Sequence, residues 1–577
     1  MIAYFEDRRA PSGEPAAWCF TDYFECLTVV DRKTLDAALL RIAQMPAWTV
    51  MALEYELGYL LEAKSAPPDW QPSGKILARF WRFGECRKMD EEAGATWLKA
   101  NCTGRPAGIG GLQPAISENA YLATVDRIQT LISAGDCYQI NYTFPLTFDW
   151  FGTPLDLYAR LRDRQPVRYG GVVCDVGGGI VSLSPELFVE RRGQRLVTRP
   201  MKGTAPLDES PEILQASVKN RAENLMIVDL LRNDLGRIAA PGSVRVERLF
   251  EIEEYPTVRQ MVSEVSAIQG AASFAEVLRA LFPCGSITGA PKIRAMQIIG
   301  ELENSPRALY TGALGWMAPD GDFRLNVAIR TLSLNPGGRG TMGVGSGIVA
   351  DSDAGAEWAE CLLKASFLRK ADPGLKLIET LRREEGVYPR LKSHLERLRR
   401  SAHWLGFAFD EAALLERLAS QPATGLWRVR VLLAANATLT VEAFPLAGEP
   451  EGLRFARIAD TVIDSTHPLR HHKTTDRALY DQALQICEAE PDIFDLVFLN
   501  ERGEVAEGAR SNVFVERDGV LLTPPLLSGA LPGVLRAELL ACGQAREEIL
   551  YPDDLAAGFW LGNALRGLIR VVLRSTG

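Results

Sequence analysis

Histidine is scarce in this 577-residue chain, and the first 393 residues have none; all five lie at or after His394. Imidazole is thereby excluded as acid, base or metal ligand over most of the sequence. Chemistry there must come from Lys, Glu, Asp, Tyr or a cation held by oxygens. The ten cysteines are scattered and never spaced C-x-x-C, which argues for free thiols and against a zinc site or a disulfide frame. No apolar run approaches the ~20 residues of a bilayer span; the stretch from Gly170 to Leu183 is broken by Asp175 and three glycines. The opening MIAYFEDRRAP has no basic segment followed by an apolar one, so a secretory leader is not expected and a cytoplasmic location is. Positive charge is in deficit: 64 Lys and Arg against 73 Asp and Glu give a net −9, a poor match to nucleic acid or an anionic membrane. What is present is ordinary globular material, 47% apolar and 24% charged, enough for a few large domains.

The pattern breaks near Lys370-Ala-Asp-Pro-Gly374. Before it, apolar positions at Trp358, Leu362, Ala365 and Leu368 predict a helix over 354–368, and Pro373 and Gly374 stop it. After it, 375–381 reads as a new strand. Two domains are therefore expected, over 1–371 and 375–577. In the first, Tyr121, Val125, Ile128, Leu131 and Ile132 mark one helical face with Gly135 as its cap, and 138–148 reads as a strand. Glycine-rich strand ends are expected at 177–179, at 285 and at 343–347. The second domain opens as strand, turn at Glu385-Gly386, strand, and a helix over 392–405. The fold class is mixed α/β (α+β).

Several stretches of the first domain carry candidate chemistry. Glu357, Glu360 and Lys364 fall at i, i+3 and i+7, one helical face. With Glu223 on another helix they form an oxygen-rich set suited to Mg²⁺; taken alone, the same face is a solvated surface with an i,i+4 ion pair. Gly203, Gly285, Gly289, Gly345 and Gly347 permit close backbone approach to an anion, or serve plain turns. Lys202 stands in Arg199-Pro-Met-Lys-Gly-Thr204 and Glu186 in Ser182-Leu-Ser-Pro-Glu-Leu-Phe188.

Taken together and in this order, these stretches resemble the chorismate-utilising enzyme family over nearly all of residues 1–370, including Ala52-Leu-Glu-Tyr-Glu-Leu-Gly58. The resemblance implies one large domain of antiparallel sheets and helices that binds chorismate against Mg²⁺. Glu223 and Glu360 match metal ligands, with Glu357 close behind. Gly203, Thr204, Tyr310, Arg330, Gly345, Gly347 and Lys364 match substrate-binding positions. Relatives that make anthranilate, isochorismate or salicylate carry alanine before the Gly-Thr pair, whereas Lys202 resembles the aminodeoxychorismate synthase branch. That branch implies a Lys202 nucleophile at C2 of chorismate, Glu186 as the acid for the departing C4 hydroxyl, and ammonia delivered by a separate glutamine amidotransferase subunit. Isochorismate and salicylate synthases place a water-activating lysine where this chain has Gln139. Gln260 replaces a common histidine and can only hydrogen-bond substrate; Asn220 replaces a common acidic residue.

In the second domain the stretch His471-His-Lys-Thr-Thr-Asp-Arg477 is, alone, a basic polar loop. With Tyr388-Pro-Arg-Leu-Lys-Ser-His-Leu-Glu-Arg-Leu398, the segment 503–514 and Leu531-Pro-Gly-Val-Leu-Arg536, it resembles the fold-type IV pyridoxal-phosphate (PLP) enzymes. The resemblance implies Lys473 as the cofactor-linked lysine and Glu507 as the carboxylate at the pyridine nitrogen. Arg390, the amides around Val534 and Leu535, and a turn at Asn563 and Ala564 would face the phosphate. It also implies a homodimer. Aminotransferase and aminodeoxychorismate lyase look alike at this level, but the neighbouring domain favours the lyase, so the expected products are 4-aminobenzoate and pyruvate, folate precursors. The rivals are an anthranilate synthase component I-like unit fused to an aminotransferase, against which Lys202 stands, and a non-catalytic chorismate-binding subunit, which should have lost Lys202, Glu186, Glu223, Glu360, Lys473 and Glu507.

Overall fold

A computed structural model describes residues 1–255, 258–448 and 453–574; Pro256 and Thr257 of the segment that precedes Gln260 lie outside them. The chain divides into two compact units. The first comprises Met1–Gly104, Leu112–Phe148 and Thr153–Leu368; the second comprises Arg105–Gly111, Asp149–Gly152 and Arg369–Gly577.

The first unit is built on long antiparallel ladders. One run of strands goes from Arg339–Ile348 through Thr331–Asn335, Gly178–Ser184 and Tyr169–Asp175 to Ile2–Glu6. Another goes from Trp48–Leu53 through Ala313–Met317, Phe323–Val327, Leu187–Arg192 and Arg195–Arg199 to Val258–Ile268. The strands Ala17–Val29 and Ala78–Met89 join the two runs. The chain passes from one run to the other at Pro185-Glu186, because Gly178–Ser184 and Leu187–Arg192 pair with different neighbours. Proline cannot donate to a ladder, so a corner is where it fits.

Helices cover these sheets with conventional signals. Ser273 and Glu276 cap Phe274–Leu281 reciprocally. Ser217 caps Val218–Gly236, which buries Asn224, Ile227, Val228, Leu231 and Leu235 at helical spacing. Leu231 is 2% exposed, so truncating it to alanine costs about 2–5 kcal/mol and would loosen the helix that carries Glu223. The helix expected over 354–368 is two pieces, Ala354–Leu363 and Ser366–Arg369. Gly343, Gly345 and Gly347 fall in the last six residues of the strand Arg339–Ile348, where the glycine-rich strand end is expected.

The second unit has a three-stranded antiparallel sheet, Leu377–Glu384, Leu426–Leu433 and Leu439–Pro445, packed on Leu391–Leu405 and Glu411–Ala419 through Leu381, Leu398, Ala402, Leu414, Val429 and Val431. Its other sheet has eight strands and is mixed: Arg454–Ile458 pairs in parallel with Ile493–Leu499 and Gly567–Leu573, and most remaining pairs are antiparallel. The turn at Glu385 and Gly386 has both residues at positive φ, 45° and 80°. Among the described residues no helix is long and apolar enough to cross a membrane.

Candidate active sites

In the first unit the side chains converge on Lys202. It lies in Met201–Pro206, whose Gly203 has φ +91° and faces Asn220 so closely that a Cβ would stand 3.1 Å from the Asn220 Cβ. Asn220 itself donates to Ser217 Oγ. A Cβ built on Gly347 would lie 3.0 Å from Lys202 Nζ and 2.4 Å from Gln139 Nε2. Gly347 thus opens the space in which the amine and the amide sit. Gln139 is fully buried, and neither its Nε2 nor its Oε1 has a hydrogen-bond partner among the described residues. An unmet buried amide is costly, and a polar ligand in the same space would satisfy it.

Burial pulls the Lys202 amine below its ordinary value, and Lys364 adds to that, while Glu223, Glu186 and Glu360 act against it. All four charged groups therefore act on the same nitrogen. Glu186 moves the other way: burial raises its carboxyl to about 7, against the opposing effects of Ser286 and Lys202. Ser286 Oγ donates to Glu186 Oε1 at 2.6 Å, and Cys284 Sγ lies 3.1 Å from the same hydroxyl. Ser286 and Cys284 escaped sequence reasoning; the only signal was the Gly285–Lys292 motif itself. Lys292 of that motif is structural, held by Asp234 Oδ2 at 2.8 Å and by the carbonyls of Leu281 and Pro283.

The remaining positions surround this centre in different ways. Lys364 Nζ donates to Gly345 O at 2.7 Å and pairs with Glu360 at 2.8 Å. Glu357 accepts from Ser352 Oγ at 2.9 Å. Glu223, Glu357 and Glu360 do not close into a cage: among the described residues no group of three acidic, histidine or cysteine side chains could hold a metal ion. Two carboxylates that share the field at Lys202 still suit Mg²⁺, which is commonly held by one or two carboxylates, substrate and water. Thr204 and Gln260 are register partners on adjacent strands, and Gln260 Oε1 is buried with no hydrogen-bond partner among the described residues. Tyr310 lies on Gly343, where a Cβ would approach its ring to 2.0 Å. Arg330, at φ 48°, donates to Gln165 Oε1. Desolvation lowers its pKa, and no ion pair with a described carboxylate is present, so this half-buried cation is suited to an anion.

In the second unit Lys473 Nζ donates to Thr380 Oγ1 at 3.1 Å, and Ile378 N donates to Lys473 O. Burial pulls the amine down to about 7, and Arg397, Arg477 and Arg430 act in the same direction. Beneath it, Glu379 is held by His394 Nδ1 at 2.7 Å and by two contacts from Arg397. Glu507 is buried, accepts from the Tyr480 hydroxyl and from Leu531 N, and has its pKa raised by burial. The helix Val534–Ala541 begins after Gly533 with no side-chain cap, so its first amides, those of Val534 and Leu535 among them, are open to an anion. A Cβ on Gly533 would come within 1.9 Å of Asn512 Oδ1, so a larger residue there would displace the Asn512 side chain. Arg390 now pairs with Glu538. Asn563 Oδ1 is committed to the amides of Leu565 and Arg566, which shape the turn that carries Ala564. A depressed buried lysine, a buried carboxylate and an uncapped helix start fit PLP.

Residues 25–370 match the chorismate binding enzyme family, and residues 376–573 match the amino-transferase class IV family, whose members imply PLP. Aminodeoxychorismate synthase component 1 of Klebsiella aerogenes is 40% identical over 289 residues, 48% of this chain and 64% of that protein. Anthranilate synthase component 1 of Streptomyces coelicolor is also 40% identical, over 274 residues, 46% of this chain and 53% of that protein. The chain thus spans less than two thirds of either relative, and overall identity does not choose between them. The solved anthranilate synthase component I of Streptococcus pneumoniae has a TM-score of 0.53 at 24% identity, covering 62% of this chain and 93% of that one, a likeness of fold. Because the first match takes in more than half of its length, the chain belongs to the chorismate-binding enzymes, with an amino-transferase class IV domain following.

Proposed function

We propose that the chain converts chorismate and ammonia to 4-amino-4-deoxychorismate at Lys202, and then splits that product to 4-aminobenzoate and pyruvate at Lys473. The observation that carries the first step is the opposed displacement of two neighbours: burial lowers the Lys202 amine and raises the Glu186 carboxyl to about 7. Each shift is toward the neutral form, the form in which an amine is a nucleophile and a carboxyl an acid. Lys202 attacks C2 of chorismate, both ring double bonds shift toward C4, and the C4 hydroxyl leaves as water with the Glu186 proton. Ammonia then adds at C4 and the lysine departs from C2. Gln139, in place of a basic residue, gives water no base with which to compete. Glu223 and Glu360 would hold Mg²⁺ with the substrate's C1 carboxylate, with Glu357 behind them; the metal, when bound, offsets that carboxylate's charge. Arg330 suits the substrate's second carboxylate. The chain has no Gly-x-Cys-x-Gly nucleophile turn of a glutaminase, so ammonia would come from a separate glutamine amidotransferase subunit, with free ammonium as a poorer source.

At the second site PLP, when bound, supplies the electron sink. Arg390 and the amides of Val534 and Leu535 would hold its phosphate, and Glu507 its ring nitrogen. Lys473, with its pKa brought down to about 7, can take the proton from C4 and return one to the departing enolpyruvyl carbon. The test supplies the full chain with chorismate, Mg²⁺, ammonium and PLP and identifies products by mass spectrometry. Equimolar 4-aminobenzoate and pyruvate are expected; anthranilate would overturn the proposal.

A further inference from the structure

We propose that Tyr480, its proton aimed by Arg470, is the positioning residue that keeps Glu507 an acceptor for the ring nitrogen of PLP. This rests on the reading that Glu507 faces that nitrogen. A carboxylate can accept from a protonated ring nitrogen, whereas a neutral carboxyl brings a proton of its own. Glu507 is buried, and burial raises its pKa and so favours the neutral form. Four groups act against burial: the Tyr480 hydroxyl, Leu531 N, Arg470 and Arg477. The two hydrogen bonds go to different oxygens, Tyr480 to Oε1 and Leu531 N to Oε2 at 2.8 Å. The Leu531 donor is backbone, so among the described residues Tyr480 is the one side chain that donates to Glu507.

The surroundings make Tyr480 a committed donor. A phenol carries one proton. Arg470 Nη1 donates to the Tyr480 oxygen at 2.7 Å, so that proton is left for Glu507. Burial and the neighbouring Glu507 raise the Tyr480 pKa, so the hydroxyl keeps its proton throughout the neutral range. Two cations also face the ring, with the guanidinium carbons of Arg477 and Arg470 at 5.1 and 5.8 Å from its centre. Both are held by backbone carbonyls: Arg470 Nε donates to Asp464 O at 3.1 Å, and Arg477 to Ala509 O at 2.8 Å. The ring packs edge-on against Phe498, 5.3 Å between centres, and Phe498 is the register partner of Glu507 on the adjacent strand. Ring, hydroxyl and carboxylate are therefore fixed to one patch of sheet. Tyr480 lies in the first turn of Ala478–Ala489, just after Lys473, so the segment that supplies the reactive amine also supplies this donor.

The test measures equilibrium binding of two cofactors to the full-length chain freed of resident PLP: PLP itself, and the analogue in which carbon replaces the ring nitrogen. The variants are Tyr480→Phe, which keeps the ring and loses the hydroxyl, Arg470→Met and Glu507→Gln, each checked by thermal melt. A hydrogen bond to a charged group corresponds to roughly a tenfold to hundredfold change in an equilibrium. Leu531 N and both arginines remain in Tyr480→Phe, so the lower figure applies. Tyr480→Phe should weaken PLP binding by about tenfold and change binding of the carbon analogue by less than about twofold. Arg470→Met should act in the same direction by less. Because Tyr480 acts through Glu507, Tyr480→Phe should cost little more in a Glu507→Gln background. Equal losses for PLP and the carbon analogue would show that Tyr480 only packs the site and would overturn the proposal, as would unchanged PLP binding. Glu507→Gln tests the reading beneath it. If that variant discriminates between the two cofactors as wild type does, Glu507 does not face the ring nitrogen, and reading and proposal fall together. If it loses the discrimination and Tyr480→Phe keeps it, the reading stands and the proposal alone fails.

Discussion

Replacing Ser286 by alanine tests the acid at the Lys202 site in a way that loss of fold cannot imitate. Ser286 Oγ donates to Glu186 Oε1 at 2.6 Å, and both residues are buried. Burial pushes the neighbouring Cys284 thiol up to about 12, so it stays protonated and can donate to Ser286 Oγ, leaving the serine proton for Glu186. A hydroxyl that donates to a carboxylate stabilises its charged form. Such a bond is worth about 1.5–3 kcal/mol, and a pKa unit is about 1.4 kcal/mol, so its loss raises the Glu186 carboxyl by roughly one to two units above the present value of about 7. A water entering the gap would recover part of this, which favours the lower figure. The acid works when protonated, so kcat/KM for aminodeoxychorismate formation falls as pH rises through its pKa. In Ser286→Ala that fall should move about one unit to higher pH, with a lower plateau because the acid is weaker. The assay follows chorismate conversion at fixed free ammonia, with excess independent lyase, between about pH 6 and 10. A fall that stays in place, or moves to lower pH, in a variant with an unchanged melting curve would refute the reasoning.

Lys202→Ala should abolish aminodeoxychorismate formation yet leave the visible absorbance of bound PLP intact; unchanged 4-aminobenzoate output would rule out the nucleophile. Gly347→Ala puts a methyl 2.4 Å from Gln139 Nε2 and 3.0 Å from Lys202 Nζ, and should lower synthase turnover by roughly a hundredfold, as misplacement near 1 Å does; near-normal turnover would show the space is not used. Glu360→Gln should raise the Mg²⁺ requirement by roughly tenfold to a hundredfold, and Glu357→Gln by less, since Glu357 is engaged by Ser352; a magnesium titration that is flat for both would return that helix face to an ordinary surface. Lys473→Ala should lose the visible absorbance and accumulate aminodeoxychorismate, with 4-aminobenzoate restored by added lyase; if chorismate consumption stopped as well, the two units would not act independently.

The sequence disclosed residue types and local periodicity, and it fell short where a distant partner decides the outcome. The helical face from Tyr121 to Ile128 is buried as its spacing requires, and the strand after it extends to Phe151, with Trp150 and Phe151 buried beyond Asp149. The helix expected over 354–368 breaks after Leu363, where Lys364 is the C-cap and its amine donates to Gly345 O, nineteen residues back. Glycines at 343, 345 and 347 look like turn residues in sequence. In the strand they must be glycine because Tyr310, Tyr142 and Gln139 occupy the space of their missing side chains, which no local pattern reveals. Lys202, Glu186, Glu223 and Glu360 were legible because each lies in a distinctive stretch. Ser286, one hundred residues from Glu186, was not.

The two candidate sites solve a similar problem with different surroundings. Each needs an amine that is free of its proton near neutral pH, and in each burial is the largest cause of the depression. At Lys473 the nearest fields are mostly cationic and push further in the same direction. At Lys202 three carboxylates oppose it, so the amine of the apo site is held closer to its charged form than burial alone would leave it. A divalent cation between Glu223 and Glu360 would neutralise two of those three and lower the amine further. Metal and nucleophile are then coupled: adding Mg²⁺ should increase the reactivity of Lys202 toward an amine-directed acylating reagent at constant pH, and Glu360→Gln should blunt that increase. Reactivity that does not respond to Mg²⁺ would separate the metal from activation of the lysine and leave it only the task of holding the substrate.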